Sequence, residues 1–385
     1  MSAAVGGADV VIVGGGIVGS SIAFHLAEAG VTRVTVLERG RLAEGSTSRA
    51  TGGVRQQFSS PVHVELARES ARFYESFEAR VGAPLDFRQV GYLFVAETPA
   101  VRDALVRGAE VQRGLGVPVE VLDAAGVSRL QPPIRVGDAT AGTFCPEDGL
   151  ASPPDACLGF VAAARRAGVA VEEGRAVTGV ETAGGAVRGV RTTGGPLACD
   201  LVVDAAGVWA PDVARPLGVE LPIEPHHRQV CLLEECPGVA FDSPFTVDME
   251  TGAYFHGERG GLVVGGTDNG DRRGFDDAND MDVVAGALEK LSSRLPAVRD
   301  LGVRRPWAGL REMTPDGSPL VGPAGGHEGF VVVAGFSGHG FMLAPAIGRR
   351  VAAALGSGDW DRELAGLGPD RFGAGGPGHA ERHVF

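Results

Sequence analysis

The chain has 385 residues, 44% of them hydrophobic, and a formal net charge of −13. That length can bury a sizeable core in one large or two smaller domains, whereas the acidic balance argues against nucleic acid or an anionic membrane surface, which reward clustered cations. A small-molecule ligand fits better. Five scattered cysteines with no C-x-x-C pair signal neither a disulfide framework nor a zinc site, so no metal is expected and a reducing cytoplasm fits.

The opening MSAAVGGADV has no basic region ahead of an apolar run and does not read as a signal peptide. No apolar stretch reaches the ~20 residues of a membrane helix. DVVIVGG then reads as a buried strand, residues 17–29 as a helix, and RVTVLER as a second strand reaching Glu38, which together make a βαβ unit. Between the first strand and the helix, Gly14-Gly15-Gly16-Ile17-Val18-Gly19 satisfies G-x-G-x-x-G. Gly14 suits a tight turn, Gly16 lets backbone approach a pyrophosphate, and Gly19 lets helix and strand pack closely, while the N–H groups opening the helix at Ile17 and Val18 face an anion. Glu38 stands 19 residues beyond Gly19, where a carboxylate accepts from ribose hydroxyls. The fingerprint alone does not separate NAD from FAD.

Further along, residues 88–142 and 221–305 are richer in alternating patterns, turns and charge, as expected of an antiparallel sheet inserted as a second domain. The strongest later strands lie in 201–210 and 261–269, and in 329–348, which reads as strand, Gly-rich turn and helix. The Gly- and Pro-rich stretch 366–385 reads as a poorly ordered tail. Only one lysine, Lys290, is present among 35 basic residues.

Four segments in order, ERGRLAEGSTSRATGGVRQQF (38–58), DAAGVWA (204–210), WAGLREMTPDGSPLVG (307–322) and GFSGHGFMLAPAIG (335–348), resemble the D-amino-acid oxidase (DAO) superfamily of FAD-dependent amine oxidoreductases. The likeness is strongest to its glycine oxidase and sarcosine oxidase branches, including sarcosine oxidase β subunits. It implies a two-domain α/β (α+β) fold of the glutathione-reductase-like type. A discontinuous Rossmann-type FAD-binding domain (1–87, 143–220, 306–365) would carry an inserted antiparallel-sheet substrate domain (88–142, 221–305). It also implies that Glu38, Arg39, Ser46, Thr47, Arg49, Ala50, Thr51, Gly52 and Gly53 line the cofactor. Val177 would meet the adenine, and Ala206, Gly207 and Trp209 would lie near the pyrophosphate, although ordinary strand or turn roles stay open for these. Gly338, His339, Gly340, Phe341 and Met342 open a helix toward the flavin N1/C2 edge, where a helix N-terminus favours negative charge. Covalent anchors used by some relatives are replaced by Gly309 and Arg49, which implies dissociable FAD.

In this resemblance Arg311 grips a substrate carboxylate, a task that suits a planar fork better than a lysine; its alternative is a surface pair with Glu312 or Asp316. Arg55 either approaches the same carboxylate or makes a loop ion pair. Tyr254 either bonds that carboxylate or is a core tyrosine. His256 and His339 are titratable groups available for proton transfer or structure. Sarcosine oxidases carry lysines at the positions of Met342 and Val263, and glycine oxidases an arginine near Gly338. Their loss here leads us to expect a roomier, less cationic pocket and a bulky, partly apolar N-substituent. The expected activity is an FAD-dependent oxidase of an N-substituted glycine with oxygen as acceptor. The alternative is a dehydrogenase passing electrons to a partner protein, with a homo-oligomer or partner subunit left open.

Overall fold

The structure, a computed structural model of the chain, describes residues 9–266, 272–372, 380 and 381. The segment before Asp9, and residues 267–271, 373–379 and 382–385, lie outside the described residues. Val10–Val13, a run of β-branched residues, lies inside a six-stranded sheet. The strand order is Leu320–Pro323, Phe330–Ala334, Leu201–Asp204, Val10–Val13, Val34–Leu37 and Ala170–Glu172. All neighbours pair in parallel except the edge strand Leu320–Pro323. Because successive side chains point to opposite faces, Val10 and Ile12 enter one core with Ile22, Phe160 and Ile347, whereas Val11 and Val13 enter another with Val187, Val190 and Val332. The first core belongs to the helices Ile17–Glu28, Pro153–Arg166 and Gly340–Ser357. The second is closed by a three-stranded antiparallel sheet, Val177–Ala183, Ala186–Thr192 and Leu197–Ala198. Strands covered on both faces are apolar throughout, which is why this part was readable as continuous runs.

An eight-stranded mixed sheet stands beside it, in the order Val303–Met313, Glu224–Leu233, Gly261–Gly265, Tyr254–Glu258, Phe245–Asp248, Tyr92–Ala96, Ala141–Cys145 and Glu120–Asp123. One face buries Leu93, Val95, Phe255 and Val264 against Val284 and Leu291 of the helix Met281–Arg294. The opposite face carries Tyr92, Phe94, Phe245, Val247 and Tyr254, and it looks toward the site. Boundaries expected at 142 and 305 fall inside two of these strands. The eleven-residue Val303–Met313 pairs along Glu224–Leu233 as far as Met313, so the sheet itself carries Arg311 toward the nucleotide-type domain.

Part of the expected tail is packed. Leu367 is buried, Arg371 donates to Asp316 at 2.8 and 2.9 Å, and Glu381 accepts from the N–H groups of Ser59 and Ser60 at 3.1 Å. A buried carboxylate at Asp316 requires a cation, and Arg371 supplies it. Among the described residues no helix is long and apolar enough to cross a membrane, and all five cysteines are buried and free.

Candidate active site and cofactor cradle

The glycine fingerprint sits where the strand Val10–Val13 passes into the helix Ile17–Glu28. A Cβ on Gly19 would lie 2.1 Å from the Gly14 carbonyl oxygen, so only glycine permits this helix to approach its strand so closely. Gly16 caps the helix in an extended conformation, without a side-chain cap and with no acid in the first turn. Of the N–H groups that no helix turn can satisfy, that of Ile17 donates to Thr47 Oγ1 at 3.1 Å. Glu38 is held at the mouth, its two oxygens accepting from Gly15 N–H at 2.7 Å and Gly40 N–H at 2.8 Å. Arg39 lies over the Trp209 ring at 3.6 Å. The short helix Ser46–Arg49 is tied to the strand of Arg311 through Ser46 Oγ, which donates to Leu310 O at 2.7 Å, and through Trp307 Nε1, which donates to Arg49 O at 3.0 Å. Gly309 faces the Arg49 stem. Val177 opens its strand half-buried, and Ala206 donates to Asp204 Oδ1 at 3.2 Å in the turn that leads to Gly207. A second helix, Gly340–Ser357, likewise begins at His339 without a side-chain cap or an acid in its first turn. Two uncapped helix N-termini, a ribose-spaced carboxylate and a turn closed to any Cβ fit a dinucleotide with a diphosphate centre.

At the opening of the helix Gly340–Ser357 is a narrow cavity of about 70 Å³. The residues expected around the flavin, Ala50 to Gly53 and Gly338 to Met342, meet there with Arg311, Tyr254 and Arg55; of these segments only Gly340 does not line the cavity. Neither proposed acid takes Arg311: the Glu312 carboxylate accepts from Gly335 and Phe336 N–H, and Asp316 pairs with Arg371. The Arg311 side chain passes directly over Gly338, where a Cβ would be 2.5 Å from its Nε. Arg55 is buried, with Nη1 donating to Gln57 O at 2.5 Å, Nη2 3.2 Å from His339 Nε2, and Cζ 4.1 Å over the Phe58 ring. Burial lowers its pKa. Tyr254 is hydrogen-bonded to the Thr51 side chain, and burial raises its phenol pKa.

Other expectations are corrected. His256 does not line the cavity: it stacks behind Phe245 with ring centroids 5.1 Å apart, Nδ1 faces Gly257 O at 3.1 Å, and burial pushes it down to about 4, so it is neutral. Val263 also lies away from the cavity, and Lys290 belongs to the helix on the opposite face of the sheet. Two arginines, Arg55 and Arg311, line the cavity together with Tyr92, Phe245 and Val247. Tyr92 was not singled out from the sequence. It stacks on Phe245 at 4.2 Å and 11°, and a Cβ on Gly53 would be 2.2 Å from its hydroxyl. The alternation of YLFVA offered a signal for its face but none for its neighbours. Asp148 was likewise missed. It accepts from Gln56 N–H at 2.9 Å and from the Gln56 and Gln57 amides at 3.1 and 3.4 Å, bracing the segment that carries Arg55, and burial pushes it up to about 7.

Known proteins resemble this chain in sequence and in fold. The family model for FAD dependent oxidoreductases (DAO) matches residues 9–354. Mitochondrial sarcosine dehydrogenase of Homo sapiens is 30% identical over 95% of this chain, which spans only 41% of that protein's length. The FAD-dependent oxidoreductase domain-containing protein 1 of Bos taurus is 32% identical, over 89% of this chain and 80% of that one. Among solved structures, L-proline dehydrogenase from P. horikoshii superimposes with a TM-score of 0.88 at 29% identity, covering 94% of this chain and 97% of that one.

Proposed function

The chain belongs to the FAD dependent oxidoreductase (DAO) family, and from that premise we propose that it oxidises a small N-substituted glycine at the bond between the α-carbon and a secondary amine. One observation carries this reading: a narrow cavity, walled by aromatic rings, into which Arg311 brings a guanidinium beside the Tyr254 phenol. A guanidinium fork making two charge-assisted bonds fixes both the place and the rotation of a carboxylate. The Tyr254 hydroxyl, oriented by Thr51, adds a neutral donor. Tyr92, Phe245 and Val247 enclose the nitrogen substituent and exclude water, and this wall of side chains favours a methyl or similarly short group over the bulky one expected earlier. A buried cation, Arg55, and a half-buried one, Arg311, near the amine favour its neutral form, so no dedicated base is required of His339.

FAD would be held by the fingerprint turn, Glu38 and the segments 46–53, 205–209 and 338–342, and when bound it supplies the acceptor for a hydride from the substrate α-carbon. With Gly309 and Arg49 at the positions of known attachment residues, the reading takes FAD as dissociable: acid precipitation should leave the yellow colour in the supernatant. The imine product would hydrolyse to glyoxylate and a free amine. Oxygen is the proposed electron acceptor, with hydrogen peroxide as product. Electron delivery to a partner protein is the second reading; it is favoured by the lack of any lysine at the cavity and by relatives named dehydrogenases.

The deciding experiment is an anaerobic flavin-bleaching screen over glycine, sarcosine, longer N-alkylglycines, D-amino acids and proline. Sarcosine or proline should bleach fastest, and bleaching by none of them would overturn the proposal. Stoichiometric peroxide from the isolated chain in air selects oxygen, and its absence selects the partner protein.

A further inference from the structure

Asp204 and Glu312 are buried carboxylates with no task in substrate handling. Asp204 ends the strand Leu201–Asp204 and pairs in register with Val13, the residue before the fingerprint. A Cβ on Gly14 would come within 2.5 Å of Ala205 O, so the acid lies against the turn shaped for a pyrophosphate. Its Oδ1 takes Ala206 N–H, and its Oδ2 has no hydrogen-bond partner. Glu312 leaves the strand of Arg311 on the other face. It accepts from Gly335 and Phe336 N–H, its Oε2 is also without a hydrogen-bond partner, and that oxygen would be 3.3 Å from a Cβ on Gly207. The two acids therefore bracket the turn 205–207, each with one orphaned oxygen.

Buried acceptors left unmatched are costly, and two like charges in one buried site do not both ionise readily. Burial is the main cause holding Asp204 well above the ordinary carboxylate range, with Glu312 adding to it, and burial pushes Glu312 up to about 7. Neighbouring elements offer little to offset this. Opposite Glu312 stands Pro225, flanked by Glu224 and His226; Arg311 precedes it in the chain; the turn 335–338 holds no ionisable side chain and leads to His339. On the fingerprint side Glu38 is a further acid, and Arg39 is stacked on Trp209. Among the described residues neither carboxylate has a cationic hydrogen-bond partner. A dinucleotide brings two more negative charges to this turn, and protonating the pair removes the resulting repulsion. Linkage is reciprocal: if the cofactor raises the pair's proton affinity, protons raise the affinity for the cofactor.

We propose that Asp204 and Glu312 form a proton-accepting carboxyl pair that makes FAD binding proton-linked, one solvent proton entering the pair with the cofactor above neutral pH. The proton adds to a carboxylate oxygen; no electron moves and no other bond changes. This rests on the FAD-binding reading and is independent of which amine is oxidised.

The test uses apoprotein of the full chain and FAD alone. Kd is followed by flavin fluorescence from pH 6 to pH 9, and proton uptake is read with an indicator dye in weakly buffered solution at pH 8. Wild type should show a Kd that is flat from pH 6 to 7 and rises about tenfold per pH unit above, with uptake approaching one proton per FAD. Glu312→Gln, which keeps an acceptor for Gly335 and Phe336, should vary less than threefold over the range with uptake near zero, while Glu38→Gln should keep the steep dependence. A flat wild-type profile without uptake overturns the proposal whether or not the variant folds, and so does a Glu312→Gln protein with the wild-type slope. No binding at any pH would overturn it together with the cofactor reading, whereas failure of every amine in the bleaching screen leaves these measurements unaffected.

Discussion

Gly338→Ala tests the Arg311 clamp without altering a charged group. Gly338 has φ of +92°, a conformation that costs a residue with a Cβ roughly 1–2 kcal/mol. The added methyl would stand 2.5 Å from Arg311 Nε, 2.8 Å from Cζ and 2.9 Å from Cδ. Ordinary contact begins near 3.4 Å, so the guanidinium must retreat by nearly 0.9 Å. A shift of about 1 Å in a positioning group costs roughly 100-fold in rate, and losing one of two charge-assisted bonds to a carboxylate costs about 1.5–3 kcal/mol in binding. Stopped-flow anaerobic bleaching with sarcosine should therefore show a second-order rate down roughly 100-fold. Acetate, as an unreactive carboxylate, should bind at least about tenfold more weakly. Because the methyl acts through Arg311, the same change in an Arg311→Ala background should cost little further. A folded, flavin-loaded Gly338→Ala protein within threefold of wild type for both readouts would refute the clamp.

Gly19→Ala would press a methyl to 2.1 Å from the Gly14 carbonyl and should yield colourless protein; full flavin content on purification would count against the cradle. Arg371→Ala strands the Asp316 carboxylate, whose side chain is 1% exposed, and should cost about 3–5 kcal/mol in denaturant unfolding; a loss under 1 kcal/mol would mean the pair is not structural. Asp148 has its pKa raised by burial to about 7, so the folded state holds its proton more tightly than the unfolded chain does. The stability it lends is complete below its ordinary value and is lost as pH rises toward 7. Between pH 5.5 and 8 wild type should lose about 2 kcal/mol more than Asp148→Asn, at ~1.4 kcal/mol per unit, as measured by guanidinium unfolding; equal losses would contradict the assignment.

What the sequence made legible follows from where each signal is local. The fingerprint turn is a contiguous pattern with a steric cause, and the central parallel strands are apolar runs because both faces are covered, so four of the six strands were readable, while the edges Ala170–Glu172 and Leu320–Pro323 were not. Arg311 was assigned to the site through the resemblance of its segment, with Glu312 and Asp316 as competing partners, and the structure sends those two acids elsewhere. Tyr92 and Phe245 could not be placed: their contact joins strands about 150 residues apart, and no short-range pattern encodes which distant strand becomes a neighbour. Missing lysines were visible, but the rings that line the cavity come from elsewhere in the chain. His256 shares a face with Tyr254 by alternation, yet Phe245 screens it.

The strand Val303–Met313 sends Arg311 to one side, to the cavity, and Glu312 to the other, toward the turn 205–207. Deletion of a single residue just before Arg311 would put the Glu312 carboxylate where the guanidinium stands, and an insertion would turn the guanidinium to the side of the 205–207 turn, so a change of length along that strand disturbs the placement of both charges. Diversification is left to point changes on the strands bearing Tyr92, Phe245 and Val247, where a ring can be trimmed or enlarged while the carboxylate grip and the nucleotide seat stay as they are. Hunting for new amine preferences, in nature or in a library, should therefore concentrate on those three positions.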